Sequence, residues 1–289
     1  GSEMCIRDSF STLQTSMVSA GRVFALIDER TYEPEQRDTA AKVTEGNIRF
    51  ENVSFSYDGK HQILDNISFS VNKGETIAFV GSTGSGKSSI INVLMRFYEF
   101  QSGRVLIDGV DIRDYSQAEL RKNIGLVLQD PFLYHGTIKS NIAMYQDLTD
   151  EEIKAAAEFV DANHFIDKLP EGYDFPVSER GSSFSTGQRQ LLAFARTVAS
   201  QPKILILDEA TANIDSETEA IVQNSLAKIR QGRTTIAIAH RLSTIQDANC
   251  IYVLDKGRII EHGSHEELLA LGGTYHKMYS LQAGTMEGE

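Results

Sequence analysis

GSTGSGKS at residues 81–88 decides the fold, because it fits the pattern G-x-x-x-x-G-K-S/T in suitable surroundings. The apolar run IAFV at 77–80 precedes it, as expected for a buried parallel strand. Apolar residues then recur at helical spacing over 90–97, so the loop joins a strand to a helix. Glycines permit a tight turn with inward N–H groups, and the helix dipole also favours an anion. We expect the loop to bind a nucleoside triphosphate, with Lys87 at the β- and γ-phosphates and Ser88 on magnesium.

The composition is that of an ordinary globular protein. The chain has 289 residues, of which 41% are hydrophobic and 24% charged, enough for one large domain or two small ones. Its net charge of −12 argues against a nucleic-acid or anionic-membrane surface. No apolar run approaches the roughly 18 residues of a membrane span, which predicts a soluble polypeptide. Cys5 and Cys250 are too few for a disulfide framework, so a reducing, cytosolic setting fits best.

The N-terminal part divides into three segments. Residues 1–9 fit no periodic pattern and are interpreted as a scar or spurious start outside the fold. Apolar residues from Leu13 to Ile27 alternate at spacings of four and three, which predicts an amphipathic helix. The polar stretch 28–45 reads as a linker, and a β-rich segment begins at Ile48. We therefore separate 1–9, 10–45 and a domain over 46–285.

Strands and helices alternate after the phosphate loop. Predicted strands cover 104–107, 124–128, 204–207 and 236–239, and the segment from about 131 to 184 is mainly helical. Thr149 with Glu152, and Ser264 with Glu267, form capping boxes that predict helix starts. This order indicates an α/β protein with a parallel-sheet core, a β-rich start and a helical insertion.

Polar side chains directly follow three of the predicted strands. Asp208 and Glu209 follow strand 204–207, Gln129 follows 124–128, and His240 follows 236–239. An acidic pair after a strand usually only begins a solvated helix, and a lone histidine there is usually structural. In a parallel sheet, however, ligands bind at the carboxyl ends of the strands. Beside a phosphate loop, Asp208 suits magnesium, and Glu209 suits orienting or deprotonating the attacking water.

FSTGQRQ at 184–190 resembles the LSGGQ signature of ABC-transporter ATPases. The family's other motifs occur in family order across 46–285. They are Tyr57 (adenine-stacking loop), Gly81–Ser88 (Walker A), Gln129 (Q-loop), Ser185–Gln188 (signature), Ile204–Glu209 (Walker B), Ala212–Asp215 (D-loop) and His240 (switch histidine). The chain resembles an ABC nucleotide-binding domain. The resemblance implies a P-loop NTPase parallel-sheet core with an antiparallel β subdomain and an inserted α-helical subdomain.

The resemblance also implies ligands, a partner and site residues. ATP and Mg²⁺ are the implied ligands, and two such domains pair head to tail so that each signature covers the ATP on the partner's Walker A. The implied catalytic residues are Glu209, His240 and Gln129. The implied nucleotide-binding residues are Tyr57, Gly81, Ser82, Thr83, Gly84, Ser85, Gly86, Lys87, Ser88, Ser89, Ser185, Gly187, Gln188 and Asp215. The implied magnesium ligands are Ser88, Gln129 and Asp208.

Two segments resemble parts of exporters. VSERG at 177–181 is similar to the X-loop that contacts exporter membrane domains, and 10–29 is similar to the cytoplasmic end of the last transmembrane helix in an exporter half-transporter. The resemblance therefore implies a transmembrane partner domain, a place at the cytoplasmic face of the cell membrane, and multidrug or lipid exporters as relatives. An ordinary amphipathic helix packed on its own domain is the alternative for 10–29, and an importer ATPase subunit is the alternative function.

The chain departs from the family pattern at two motifs. The signature has Phe184 and Thr186 where the consensus has Leu and Gly, and the D-loop at 212–215 reads ANID instead of SALD. In heterodimeric exporters, the subunit that keeps the Walker B glutamate can have a drifted signature. We hypothesise that this chain is such a catalytically intact partner. ATP turnover by the full-length subunit alone that equals the turnover of a mixed complex would contradict the hypothesis.

Two further classes of protein have the same nucleotide-binding fold or bind the same nucleotide. DNA-repair and chromosome ATPases insert a long coiled coil between Walker A and the signature, whereas fewer than a hundred residues separate Lys87 from Ser185. A regulatory domain that binds ATP without hydrolysing it is expected to lack Glu209 or His240, and both are present. The sequence thus favours an ATP-hydrolysing transporter domain.

Overall fold

The computed structural model describes residues 2–29, 40–128, 130–144, 146–208, 216–239 and 242–283. The chain forms two compact units, Gly1–Glu35 and Gln36–Glu289. Strands are β1 (Ile48–Ser56), β2 (Gln62–Val71), β3 (Thr76–Gly81), β4 (Ser102–Ile107), β5 (Val110–Asp111), β6 (Ile124–Val127), β7 (Gly136–Thr137), β8 (Pro176–Val177), β9 (Ile204–Asp208), β10 (Thr234–Ile238), β11 (Cys250–Asp255) and β12 (Arg258–Gly263). Helices are α1 (Ser2–Ile27), α2 (Lys87–Leu94), α3 (Gln117–Lys122), α4 (Ile138–Ala143), α5 (Asp150–Phe159), α6 (Asn163–Ile166), α7 (Thr186–Ala199), α8 (Ser216–Arg230), α9 (His265–Leu271) and α10 (Thr274–Gln282).

The first unit consists of the long helix α1. Its large apolar side chains, including Phe10, Met17 and Phe24, are exposed. The helix also includes residues 2–9, for which the sequence predicted no regular structure. These residues contain neither glycine nor proline, so a helix nucleated farther along can propagate through them at little cost. Within the described ranges, no helix is both long enough and apolar enough to cross a membrane.

The second unit is built on a central sheet with the strand order β12-β11-β3-β10-β9-β6. Strands β11, β3, β10, β9 and β6 run parallel to their neighbours, and only β12 pairs antiparallel. Ile236 pairs with Ile77 on one side and Ile206 on the other, and all three side chains are buried. The carboxyl ends of β3, β10, β9 and β6 therefore meet at one edge of the sheet, which confirms the predicted α/β core.

A second sheet, in the order β2-β1-β4-β5, is antiparallel. Phe50 of β1 stacks on Phe69 of β2 with ring centroids 4.4 Å apart, and Phe69 packs edge-on against Phe79 of β3 at 5.0 Å. Ile90 and Leu94 of α2 belong to the same buried cluster. This apolar layer holds α2 between the two sheets and confirms the predicted antiparallel β subdomain.

The segment about 131–184, predicted to be mainly helical, contains α4, α5 and α6 together with one short antiparallel pair, β7 with β8. Thr149 and Glu152 form the predicted capping box at α5, and Ser264 and Glu267 form the one at α9. Helix α7 packs against α4, α5 and α8. The apolar face of α7 is thereby buried, and its N-terminus lies at the end of a helical layer.

Asp108 fixes the start of the antiparallel sheet. Its carboxylate accepts backbone N–H bonds of 2.8–3.2 Å from the four consecutive residues 44–47. Partial burial alone would raise the pKa of this carboxyl, but the four backbone donors outweigh it and hold the pKa below its ordinary value. The charged form of Asp108 therefore stabilises the fold.

We expect Asp108→Asn to lower the free energy of unfolding at pH 7 by about 1–2 kcal/mol, since hydrogen bonds to a charged group are stronger than neutral ones. Asparagine keeps the shape and tolerates the positive φ of 51° at this position. Because the folded pKa of Asp108 is depressed, its contribution is complete above the unfolded pKa of about 3.9 and is lost as the pH falls through the folded pKa. Urea unfolding should show a constant difference between the two proteins above the unfolded pKa and a shrinking difference as the pH falls below it, whereas a pH-independent difference would contradict the assignment. Asp147→Asn, at an exposed position, is the control.

Candidate nucleotide-binding site

The phosphate loop follows β3 and ends where α2 begins at Lys87. Gly86 is the N-cap of α2 with φ +107°, and a β-carbon there would lie 2.9 Å from Leu64 Cδ2. Gly81 has φ +151°, and a β-carbon there would collide with the carbonyl oxygen of Leu254. Only glycine meets both the backbone and the space requirements at these positions. The sequence pattern thus reflects a loop whose turn brings its backbone close to neighbouring strands.

The Lys87 side chain is hydrogen-bonded to the backbone of this loop. Its side chain is only 5% exposed, and Nζ donates to the carbonyl oxygens of Gly81 at 2.8 Å and Ser82 at 3.0 Å. Ser85 is also buried, and its carbonyl oxygen accepts from Gly257 N at 3.0 Å in the β11–β12 turn. A cation is therefore fixed beside the first N–H groups of α2, where the helix dipole is positive. Such a concave, positive loop suits a polyphosphate.

Tyr57 lies next to the first turn of α2. Its hydroxyl oxygen is 3.1 Å from Ser89 Oγ and accepts a hydrogen bond of 2.8 Å from Asn92 Nδ2. The ring packs edge-on against Phe55 and Tyr98, with centroid distances of 4.6 and 4.8 Å, yet Tyr57 stays 47% exposed. An exposed aromatic ring is thus anchored beside the phosphate loop, as a stacking platform for a base requires. Adenine stacking at Tyr57 stays a prediction.

Asp208 reaches the same edge of the sheet. It ends β9, and Ile238 of β10 pairs with Asp208 on one side and with Phe79 on the other. Gly81, two residues beyond Phe79, therefore starts the loop two strands away, a lateral distance of about 10 Å at the usual strand spacing. The strand order thus brings Asp208 and the phosphate loop to one ligand edge.

Several predicted site residues lie outside the described residues. These are Gln129, Glu209, Asp215 and His240. The residues that precede three of them, Leu128, Asp208 and Ala239, follow or end β6, β9 and β10 at the ligand edge. The roles of the four residues stay predictions from the sequence.

The signature segment lies on a different element, at the start of α7. Ser185 is the N-cap; its Oγ accepts from Gln188 N, and Gln188 Oε1 accepts from Ser185 N. Phe184 is buried with its ring about 6 Å from those of Phe165 and Phe175, so the substitution for leucine fills the helical core. Thr186 Oγ1 accepts from Arg189 at 3.2 Å. Ser185 itself is exposed at the positive end of a 14-residue helix.

A surface between β6 and α7 is formed by Phe132 and Tyr134, which are more than 40% exposed and pack edge-on at 5.0 Å. We call this pair the aromatic patch. Arg196 of α7 stabilises the backbone of this patch by donating hydrogen bonds to Phe132 O at 3.1 Å and to Asn141 O at 2.8 Å. Arg180 N of the predicted X-loop donates to Leu133 O at 3.1 Å, between the two rings. The predicted X-loop is therefore hydrogen-bonded to the segment that carries the aromatic patch.

Sequence reasoning missed three residues of these arrangements: Asn92, Asn141 and Arg196. Asn92 follows Ser89 by three positions, so both lie on one face of α2, and that spacing is the signal that could have identified it. Asn141, only 1% exposed, bonds with Tyr134 N and Tyr134 O through its side-chain amide. Nothing in the spacing of Asn141 or Arg196 indicates these contacts. The Arg196 contacts arise from packing α7 on α4.

The fold and the ligand edge define a P-loop ATPase domain, and comparison with known proteins identifies its family. The family model described as "ABC transporter" matches residues 64–212, more than half of the chain, so the chain belongs to the ABC transporter family. It is an ABC-type ATPase domain, as the motif series predicted.

Individual relatives indicate which kinds of ABC transporter the chain is similar to. The chain is 85% identical over 281 residues to an ABC transporter ATP-binding protein of Streptococcus pneumoniae, covering 97% of this chain and 48% of the relative. It is 54% identical to the multidrug resistance ABC transporter ATP-binding/permease protein YheH of Bacillus subtilis, covering 96% of this chain and 42% of the relative. A solved bacterial Atm1-family ABC exporter with ATP bound matches with TM-score 0.84 and 41% identity, over 97% of this chain and 49% of that one.

The chain thus spans about half the length of the curated relatives it matches. The solved relative is an exporter, and the multidrug resistance relative combines ATP-binding and permease parts in one polypeptide. The comparisons therefore support the predicted exporter class, and they do not favour the importer alternative.

Proposed function

We propose that this chain binds and hydrolyses ATP to drive export by a membrane domain that the relatives carry in the same polypeptide. The observation that carries the proposal is the placement of the buried Lys87 ammonium in the phosphate loop, at the sheet edge that Asp208 also reaches. On this proposal, the N–H groups of α2 and Lys87 bind the phosphates, and the exposed ring of Tyr57 stacks on adenine.

The donor set fits magnesium. Ser88 is exposed at the second position of α2 and offers a hydroxyl oxygen, and Asp208 offers a carboxylate at the same edge. Within the described ranges, no group of three or more His, Cys, Asp or Glu residues could hold a metal ion. Mg²⁺ bound with a nucleotide takes most of its ligands from phosphates and water, so two or three protein oxygens suffice. We assign Ser88, Asp208 and Gln129 as ligands; the bound ion would neutralise charge on the β- and γ-phosphates.

Hydrolysis then requires an oriented water. We assign Glu209 to hold or deprotonate the water that attacks the γ-phosphorus, which breaks the bond to the β–γ bridging oxygen and yields ADP and phosphate. His240, after β10, is assigned to the γ-phosphate from the next strand. Lys87 remains at the β- and γ-phosphate oxygens, where charge accumulates in the transition state.

A second ABC domain completes the site in this proposal. Ser185, Gly187 and Gln188 begin α7 and would face the γ-phosphate on the partner's loop, with Asp215 at the same boundary. One helix N-terminus contributes only about 0.3–1 kcal/mol, or up to about 2 kcal/mol when partly buried. The signature helix, the phosphate loop and the metal must therefore act together to close the dimer. The partner is either a copy of this chain or, on the drifted-signature hypothesis, a different subunit.

The membrane domain is proposed to contact the aromatic patch and the X-loop. Phe132 and Tyr134 expose apolar surface at a place where the half-buried Arg196 and the buried Asn141 fix the backbone, as expected of a preformed docking site. Residues 10–45 are proposed as the cytoplasmic end of the last transmembrane helix and its linker. The domain over 46–285 then works at the cytoplasmic face of the membrane.

This function predicts ATP turnover that depends on magnesium and on protein concentration. Phosphate release by the 289-residue chain should rise more steeply than in proportion to protein at low concentration, because each complete site needs two chains. EDTA should reduce turnover to background, and excess Mg²⁺ should restore it. A rate strictly proportional to protein at every concentration would contradict the shared site, and turnover that survives EDTA would contradict the metal assignment.

A further inference from the structure

Asn92, Tyr57 and Ser89 form a short hydrogen-bonded chain along the first turns of α2. Asn92 Nδ2 donates to the Tyr57 hydroxyl oxygen at 2.8 Å, and that oxygen lies 3.1 Å from Ser89 Oγ. Ser89 is 7% exposed and occupies the third position of α2, within the first turn that follows the phosphate loop. An exposed aromatic ring is thus connected through two hydroxyl groups to the first turn of the helix that follows the phosphate loop.

The Asn92 amide favours one direction for the protons in this chain. An amide N–H can only donate, so Asn92 occupies a lone pair of the Tyr57 oxygen and leaves the phenolic proton available to Ser89, although either hydroxyl can donate in the 3.1 Å contact. Several helical Ser and Thr hydroxyls donate to the carbonyl four residues back, as Thr197 and Ser225 do at 2.9 and 2.8 Å. No such bond is given for Ser89, whose hydroxyl contacts only the Tyr57 oxygen among the described residues. When Tyr57 donates in that contact, the Ser89 proton is available to another acceptor.

An anion at the start of α2 supplies that acceptor. A phosphate oxygen accepts a hydrogen bond more strongly than a phenol oxygen, so a bound polyphosphate takes the Ser89 proton while Tyr57 donates to Ser89 from the other side. Successive donors along such a chain also polarise one another.

We propose that Asn92 is a positioning residue for nucleotide binding. The hydrogen-bond relay Asn92→Tyr57→Ser89 directs the Ser89 hydroxyl proton to a phosphate oxygen of the nucleotide, and it ties the base-stacking ring to the helix that binds the phosphates. This inference rests on the proposed function as an ATP-binding domain. It adds a residue that does not itself touch the nucleotide and acts through two that do.

The nearly isosteric substitution Asn92→Asp tests the relay, because a carboxylate accepts where the amide donates. In Asn92→Asp, Tyr57 should donate to the carboxylate, so that Ser89 must donate to Tyr57 and loses its proton for the phosphate. Equilibrium binding of ATP with excess Mg²⁺, measured by calorimetry, should weaken about tenfold, and Asn92→Ala and Tyr57→Phe should each weaken it about threefold to tenfold. Inorganic tripolyphosphate should show the Asn92→Asp loss as well, since the relay acts on phosphate and not on the base.

A double-substitution cycle separates the relay from simple charge repulsion. In the Tyr57→Phe background, Asn92→Asp should add little further loss, whereas repulsion between the new carboxylate and the phosphates would persist there. Asn224→Asp, at an exposed position of α8, makes the same charge change away from the site and should leave binding unchanged. Thermal unfolding checks that each variant folds; if Asn92→Asp does not, Asn92→Ala and Tyr57→Phe must still be non-additive.

Two results would overturn the relay: Asn92→Asp binding ATP as tightly as the original chain, or an undiminished loss in the Tyr57→Phe background. Failure of the proposed function looks different, because the unsubstituted chain would then bind neither ATP nor tripolyphosphate.

Discussion

Replacing Glu209 by Gln should lower ATP turnover by about 10²–10⁴-fold, the usual contribution of a general base, while ATP still binds. Gln keeps the size of the side chain and can still hydrogen-bond water, but it cannot take a proton. Glu209 follows Asp208 directly, and Asp208 ends β9 at the ligand edge, so the substitution leaves the strand and its neighbours intact. The defect should therefore appear in turnover and not in the equilibrium affinity for ATP.

Phosphate release under saturating MgATP and binding of ATP to the same variant measure the two quantities separately. Glu158→Gln removes one negative charge from the exposed face of α5 and is the matched control, with turnover expected to stay unchanged. If Glu209→Gln turned ATP over at the rate of the unsubstituted chain, another residue would have to orient the water.

Lys87→Ala should weaken both ATP binding and turnover, whereas Glu209→Gln should affect turnover alone. A charge-assisted hydrogen bond contributes about 1.5–3 kcal/mol, so ATP affinity should fall by about 10–150-fold. Turnover should fall by at least about 10²-fold, because the same ammonium offsets charge that develops on the phosphates. In the free protein Lys87 also donates to Gly81 O and Ser82 O, so the loop itself loses two bonds.

Lys87→Met separates these two effects, since it keeps the apolar part of the side chain and removes only the ammonium. Lys154→Ala, on the exposed face of α5, controls for loss of one positive charge. Unaltered nucleotide affinity in both Lys87 variants would contradict the phosphate-loop interpretation, provided that thermal unfolding shows both variants folded.

Local signals in the sequence predicted much of this molecule because they depend on neighbouring residues only. The capping boxes of Thr149–Glu152 and Ser264–Glu267 formed as expected, since each needs contacts across three residues. The phosphate loop also follows local rules, because the positive φ values at Gly81 and Gly86 require glycine. Continuous apolar runs predicted the buried strands β3, β9 and β10.

The order of the strands could not be predicted in this way. Strand β10 lies between β3 and β9, although more than a hundred residues separate Thr76 from Thr234. Pairing between strands that are far apart in sequence therefore determines which polar residues at the strand ends become neighbours. Contacts such as Arg196 with Phe132 O and Asn92 with Tyr57 depend on the same long-range packing. The helical state of residues 2–9 was missed because their apolar residues lack a regular period, although nothing in them breaks a helix.

The structure of a single chain explains the two signature residues that differ from the family consensus. Phe184 is buried beside two other phenylalanine rings, and Thr186 accepts a hydrogen bond from Arg189 at the first turn of α7. Neither change alters the capping box between Ser185 and Gln188. The altered signature can therefore present a well-formed helix N-terminus, and its link to a heterodimeric exporter stays a hypothesis.

Complementation between two inactive variants tests most directly whether ATP is hydrolysed at a site shared by two chains. Lys87→Ala removes the phosphate-binding lysine, and Ser185→Asp places a negative charge at the signature while keeping a good N-cap. In a mixed dimer of the two, one site carries both defects and the other carries none. An equal mixture should recover about a quarter of the original turnover, because half of the dimers have one of their two sites intact. If the original chain is active and the mixture stays inactive, the site is not shared between two copies.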